Sequence, residues 1–325
     1  MSKQVVVALV VGLLLGAGIL FFWKSVETTP ENPTSGDRNQ AALDNVRNGR
    51  TTSLNAYWVT DDDMDEIGKL AELQLLNLSG ANITDKGLAK LTSLKSLREL
   101  FLRNTFISSE GLNYLKELPR LQEVHLGYAP ITDLTPIAEL TQLRRLGLRG
   151  TQIDDADIVN LANLTELREL GLYRCNISNA AIETIAQLPN LEELWLGSTK
   201  IDDGALAQIA KMPKLQVLSL RQTAVSDAGM ALLAGMPELQ ELYLADTQIT
   251  DAGVTALAGT PKLRVLGLAR TKITAASFAE FAKLPLLETP EISMPPFTAA
   301  DEAKLLELFP EANVTETEDE SRTEI

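Results

Sequence analysis

The sequence predicts an α/β solenoid, with short parallel strands on one side and helices on the other, and three observations predict it. A β-branched or aromatic residue recurs at Val59, Ile83, Ile107, Ile131, Ile153, Ile177, Ile201, Val225, Ile249, Ile273 and Phe297; nine of the ten steps are 24 residues and one, from 131 to 153, is 22. Most units carry L-x-x-L-x-L ahead of that position, as in LRELFL at Leu97, LEELWL at Leu191 and LQELYL at Leu239. Directly after it stand Thr60, Thr84, Ser108, Thr132, Asp154, Ser178, Asp202, Ser226, Thr250, Thr274 and Thr298, all residue types that cap a helix N-terminus. A unit this small cannot bury its own leucines, so neighbours must stack around one shared core.

Taken in order, the chain opens on an apolar run. From Val5 to Trp23 there are 19 residues without a charge, about 28 Å of helix, which matches the apolar thickness of a bilayer. A transmembrane helix is expected there, anchoring the chain through residues 5–23, with Phe21, Phe22 and Trp23 at the interface and Lys3 biasing the N-terminal end toward the cytoplasm. The repeat domain is then extracytoplasmic. The alternative is secretion after signal-peptide cleavage, although no A-x-A-like site follows the run. Gly12 and Gly16 form a G-x-x-x-G pair that could hold two anchors in a weak homodimer. Beyond this anchor (residues 1–23), residues 24–53 are polar and hold Pro30 and Pro33, so they read as a flexible linker spanning roughly 30 Å. The repeats with their terminal caps occupy residues 54–314. Residues 315–325, TETEDESRTEI, read as a disordered acidic tail.

Within a unit, leucines at the fourth and sixth positions of the strand motif, such as Leu194 and Leu196, point to one side of a short strand while the residue between them points to the other. Apolar residues at helical spacing follow the cap, as in Ile182, Ile185 and Leu188. Pro119, Pro189, Pro213, Pro237, Pro261, Pro285 and Pro310 then stop the helices and release the chain into the next strand. YWVTDDDMDEIGKLAEL and PPFTAADEAKLLELFPEANV are atypical units that close the two ends.

This pattern resembles the leucine-rich repeat family, and its 24-residue step resembles the ribonuclease-inhibitor-like branch. The resemblance implies a right-handed horseshoe with a parallel concave sheet and a mostly helical convex side. It also implies a side-chain column after the strand that bonds turn backbone, usually Asn or Cys in the family; here it is Ala81, Thr105, Ala129, Thr151, Cys175, Thr199, Thr223, Thr247 and Thr271. Cys175 therefore reads as a buried rung rather than a reactive thiol. The short unit, ITDLTPIAELTQL, resembles the 22-residue repeat of internalins, and Pro136 disfavours a full helical turn there.

The residue between the two strand leucines should line the concave face: Asn77, Phe101, His125, Gly147, Gly171, Trp195, Ser219, Tyr243 and Gly267. Two glycines between Phe101–His125 and Trp195 describe a gap about 14 Å wide at the usual strand spacing. Two residues earlier run Glu99, Glu123, Arg145, Glu169, Glu193, Val217 and Glu241, and two later Arg103, Gly127, Arg149, Tyr173, Gly197 and Arg221. Aromatic and arginine side chains are the usual anchors of protein interfaces. Phe101, His125, Arg145, Arg149, Tyr173, Glu193, Trp195, Arg221 and Tyr243 are accordingly the candidate residues for a protein or peptide partner. The alternative is an architectural cell-envelope spacer whose concave residues only pack on one another.

Other functions fit poorly. A formal charge of −15 opposes binding to a phosphate backbone. One cysteine and one histidine leave no intrachain disulfide and no Cys/His metal set, and no cofactor is expected. TDDDMDEI at Thr60 is acidic but lacks a turn glycine and sits where a helix starts, so calcium is not expected. An enzyme would need a nucleophile beside His125, yet Ser219 lies four strands away, roughly 19 Å.

Overall fold

The computed structural model describes residues 9–14, 19–24, 35–293 and 297–315. The chain divides between Ala41 and Ala42 into an N-terminal unit and a repeat unit.

In the N-terminal unit β1 (Leu9–Leu14) pairs antiparallel with β2 (Ile19–Lys24), Leu14 opposite Ile19 and Leu9 opposite Lys24. Strands thus stand where one membrane-spanning helix was expected, and no helix among the described residues is long and apolar enough to cross a membrane. The run is rich in valine, whose branched side chain loses rotamers in a helix, and an apolar run without periodicity does not separate helix from strand. Gly16 of the expected dimer motif lies outside the described residues, as do residues 316–325 of the expected acidic tail. The linker expectation for residues 24–53 also changes. It contains α1 (Ser35–Arg47), whose Ala42, Leu43 and Val46 recur on one helical face and pack against the repeat core, while Arg47 donates to Glu66 at 2.8 Å. The C-terminal half of α1 therefore serves as part of the first cap.

Among its described residues the repeat unit contains twelve parallel strands in strict chain order: β3 (Ser53–Asn55), β4 (Leu75–Asn77), β5 (Glu99–Phe101), β6 (Glu123–His125), β7 (Arg145–Gly147), β8 (Glu169–Gly171), β9 (Glu193–Trp195), β10 (Val217–Ser219), β11 (Glu241–Tyr243), β12 (Val265–Gly267), β13 (Thr289–Ser293) and β14 (Asn313–Thr315). The middle residue of each inner strand is core: Leu100, Val124, Leu146, Leu170, Leu194, Leu218, Leu242 and Leu266 are fully buried in one cluster running from Val46 to Phe309. Full burial of one such side chain contributes about 2 kcal/mol. Truncating one to alanine costs about 3 kcal/mol or more, because stacked neighbours cannot collapse into the hole.

Convex segments differ in tightness. The α-helices are α2 (Met64–Ile67), α3 (Asp85–Leu88), α4 (Asp155–Ile158), α5 (Asn179–Ile185), α6 (Asp203–Ile209), α7 (Asp227–Leu233), α8 (Asp251–Ala256), α9 (Ser277–Phe281) and α10 (Ala299–Leu308), whereas Gly111–Glu117 is 3-10 throughout. In the 22-residue unit the convex segment is a single 3-10 turn, Thr135–Ile137, with Pro136 in its first turn, as the proline predicts. Caps sit where the sequence placed them in most units: the side chains of Thr84, Ser178, Asp202, Ser226 and Thr250 accept the amide two residues on.

Two further side-chain columns bond turn backbone, the first mostly within units and the second between them. Thr105, Thr151, Thr223, Thr247 and Thr271 each donate the hydroxyl to the carbonyl three residues back. Cys175 donates its thiol across the unit boundary to Leu148 O at 3.0 Å, and burial pushes its pKa up to about 11. It is an inert rung. The second column was not foreseen. Asp61, Asp85, Asp155, Asp203, Asp227 and Asp251, each just inside a convex turn, accept both the amide and the hydroxyl of the next unit's cap (Thr84, Ser108, Ser178, Ser226, Thr250 and Thr274). Ser109 and Asn179 substitute for aspartate in two units, binding the Thr132 and Asp202 amides. At the 22-residue unit the relay stops: Asp133 bonds Thr135 of its own unit, and the Asp154 amide is taken by its own Asp157.

Candidate concave binding face

The strand register sets the face. Phe101, His125, Gly147, Gly171, Trp195, Ser219, Tyr243 and Gly267 lie side by side across β5 to β12, and Glu99, Glu123, Arg145, Glu169, Glu193, Val217, Glu241 and Val265 form the parallel column beside them. Phe101, His125, Arg145, Glu193, Trp195 and Tyr243 fall in the columns their spacing assigned, while Arg149, Tyr173 and Arg221 follow the strands.

The structure gathers them into three groups. In the first, the Phe101 and His125 rings stack with centroids 4.7 Å apart and planes 5° apart. His125 Nε2 lies 2.9 Å from Glu123 Oε1, Arg145 Nη1 donates to Glu123 Oε2 at 2.8 Å, and Arg145 Nε lies 3.1 Å from Glu169 Oε2. In the second, Trp195 and Tyr243 stack at 5.8 Å although β10 separates their strands, so both rings lean over Ser219; Tyr243 Oη donates to Glu241 at 2.6 Å. In the third, the Arg149 guanidinium lies 4.6 Å from the Tyr173 ring centre and 5.6 Å from that of Tyr128, whose hydroxyl accepts from Arg149 Nε at 2.9 Å. Cation–π contacts of this kind draw the guanidinium to the ring faces. Arg221 sits near Tyr243, its guanidinium 6.0 Å from the ring centre.

Exposure departs from the sequence expectation. Trp195 is 8% exposed, Tyr243 1% and His125 5%, and Tyr173, Arg149 and Arg221 are buried as well. The aromatics were expected to stand exposed on the sheet; instead they turn toward one another across smaller neighbours, which sequence spacing cannot reveal. What a partner can reach is Phe101 and Glu193, both half-buried, and Arg145, whose side chain is 55% exposed.

Electrostatics concentrate on the acidic column. Burial acts to raise the Glu123 carboxyl, yet the bonds from His125 and Arg145 outweigh it and hold its pKa below the usual range. Glu169 has only the shared Arg145; burial, then the neighbouring Glu193 carboxylate, push it up to about 7. Glu193 is raised too, chiefly by burial. Glu99 and Glu123 are the adjacent carboxylates the sequence singles out, but the pair raised together is Glu169 and Glu193, chiefly by burial.

His125 is committed to Glu123, and the Ser219 hydroxyl, buried beneath Trp195 and Tyr243, has no hydrogen-bond partner. Among the described residues no group of three or more His, Cys, Asp or Glu could hold a metal ion. Of the acidic TDDDMDEI stretch, Asp61 is used by Thr84 and Asp63 by the Thr60 amide.

The family follows from comparison. Residues 63–308 match the leucine-rich repeat region family, and the chain belongs to it. The fold is similar to that of an internalin of Listeria monocytogenes, with 24% identity over 79% of this chain and 77% of that one and a TM-score of 0.57. It is similar also to a leucine-rich repeat protein of Leptospira interrogans, with 18% identity over 77% and 80% of the two chains and a TM-score of 0.50. No curated protein matches.

Proposed function

We propose that this leucine-rich repeat chain is a binding module that takes a protein or peptide partner on its concave sheet, without catalysis. Domains of this family typically bind proteins. One observation carries the assignment to this face: a continuous chain of contacts from Phe101 through His125, Glu123 and Arg145 to Glu169 places an aromatic, an exposed guanidinium and buried carboxylates on one rigid sheet. Such mixed anchors on a preformed surface are what hot spots are made of. The 24-residue step and the α-helical convex segments support a place in the ribonuclease-inhibitor-like branch. The uncharged run Val5–Trp23 supports attachment of the chain to a membrane, with the repeats outside the cytoplasm; alkaline extraction of membranes that releases the chain quantitatively would refute attachment.

The architectural reading is favoured by a different fact, that Trp195 and Tyr243 bury each other. Pull-down with the full chain separates the two. Phe101→Ala and Arg145→Glu should abolish capture of a specific partner while thermal unfolding stays within a few degrees of wild type. Unchanged capture by both variants would move the working surface off the concave face.

A further inference from the structure

The strand exits carry a charge distribution that the rest of the chain does not share. Six consecutive segments from strand end to the recurring β-branched residue, 101–107, 125–131, 147–153, 171–177, 195–201 and 219–225, hold Arg103, Arg149, Arg174, Lys200 and Arg221 and no aspartate or glutamate, in a chain of formal charge −15. Four residues before Arg103, Gly127, Tyr173 and Gly197 stand Glu99, Glu123, Glu169 and Glu193, about 13 Å back along each strand. The sheet is thus bordered by carboxylates at its entry side and by guanidiniums at its exit side. Arg221 faces Glu291 on β13, so the cationic end of the exit rim is β5 to β8.

Geometry at that end gives a second, separate indication. The large side chains lean from one unit toward the next over glycines: Arg103 Cγ lies 3.5 Å from where a Cβ on Gly127 would stand, the Tyr128 ring 2.5 Å from the same point on Gly150 and the Tyr173 ring 2.6 Å from that on Gly197. The lean sets the Arg149 guanidinium 4.6 Å and the Arg174 guanidinium 5.3 Å from the centre of one ring, that of Tyr173. Tyr128 and Tyr173 are also the groups that act on Arg174. Two guanidiniums therefore converge on neutral phenols. A ring attracts a cation without neutralising it, whereas a carboxylate laid across both would take charge-assisted bonds from each. Arg174 is exposed, so such a group can arrive from outside.

We propose that the exit rim from β5 to β8 is a subsite for an acidic segment of the protein partner, with one Asp or Glu carboxylate seated between the Arg149 and Arg174 guanidiniums beside Tyr173 and a second taken by Arg103. This rests on the concave-face reading and adds the charge selected there. Charge complementarity commits the rim to protein carboxylates. Arg103 and Arg149 stand two strands apart with Gly127 between them, roughly 10 Å, a spacing suited to separate side chains. A continuous polyanion, such as nucleic acid or an anionic bilayer, would also meet the entry-side glutamates and the charge of −15.

The full chain is titrated with acetyl-Glu-Gly-Glu-Gly-Glu-amide and with its lysine counterpart while the guanidinium ¹⁵Nε signals of Arg149 and Arg174 are followed. The glutamate peptide should shift both signals and bind more weakly as salt rises; the lysine peptide should do neither. Arg174→Gln, at an exposed position, should keep its unfolding temperature within a few degrees of wild type and weaken glutamate-peptide binding about tenfold. Arg168→Gln, which removes an equal charge from the exposed pair with Glu192, should leave that binding unchanged. Equal binding of both peptides, a glutamate peptide that binds without moving either signal, unchanged affinity in Arg174→Gln, or no binding up to about 10 mM would each overturn the subsite. Binding to phosphatidylglycerol vesicles that falls in Arg174→Gln while peptide binding holds would overturn the choice of protein carboxylates. The Phe101→Ala pull-down decides the parent reading separately: capture lost in that variant, with no glutamate-peptide binding by wild type, removes the subsite and leaves concave binding standing.

Discussion

The carboxylate of Asp227 reaches across a unit boundary to Thr250, accepting its amide at 2.8 Å and its hydroxyl at 2.6 Å. One side chain thereby fixes the start of the next helix, and the same bond pair recurs along most of the convex rim. Asp227→Ala should destabilise the repeat unit by about 1–3 kcal/mol, the cost of two charge-assisted bonds whose donors lose their partner. Asp227→Asn should recover part of the loss, because Asn179 already performs the task toward Asp202. Urea unfolding followed by circular dichroism measures both; an alanine variant as stable as wild type would remove the relay from the list of stabilising contacts.

Acid should attack the same relay. Burial alone would raise Asp61 and Asp251, but hydrogen bonds from Thr84 and Gly87, and from Ser277 and Thr274, leave both below the ordinary aspartate value of 3.8. A depressed folded-state pKa contributes stability that is present above the unfolded value and is lost as pH falls through the folded one. Melting temperature should therefore decline below about pH 4, and Asp251→Asn should flatten that decline.

Glu169 works in the opposite sense. Its folded-state pKa of about 7 exceeds the ordinary 4.5, so its contribution is complete below 4.5 and is lost as pH rises toward 7. The charges facing it are Arg145 on β7, Glu123 on β6 and Glu193 on β9. Glu169→Gln should make the protein more stable at pH 8, by up to about 3 kcal/mol, and little different at pH 4.5. A variant less stable at pH 8 would show that the ionised carboxylate is well compensated in the native state.

Gly150 occupies the left-handed region at φ +65°, and a Cβ there would meet the Tyr128 ring at 2.5 Å. Other units place Asn104, Arg174, Ser198 and Asp246 in the same conformation and tolerate its strain because the amide bonds the next unit's carbonyl. Gly150→Ala should cost about 1–2 kcal/mol and should displace Tyr128 from the Arg149 stack. A circular-dichroism melt gives the first effect, and loss of binding without unfolding in the pull-down gives the second.

How far the sequence carried can be judged residue by residue. The leucine spine, the strand register and the tight turn at Pro136 were legible because each depends on spacing within one unit or on a strict period. The burial of Tyr243 was not, because it depends on Trp195 leaning toward it across Ser219, a rotamer choice between strands. The aspartate relay was present in the text as an aspartate after most of the caps, and it read as a preference of helix N-termini; its real partner lies 23 residues on, beyond any local rule. Val46 escaped notice because α1 carries too short an apolar face to stand out from a polar stretch.

The interruption at Asp133 carries a mechanical consequence. Stacked units share load only with immediate neighbours, and at the exit of the 22-residue unit the paired amide-and-hydroxyl relay gives way to backbone bonds from Leu134 and Asp154 to Asp157. Pulled from both ends in an optical trap, the stack should crack at that joint first, releasing two blocks of unequal length before either unravels; a rupture that begins at a terminus would show that the exchanged bonds bear tension as well as the relay does.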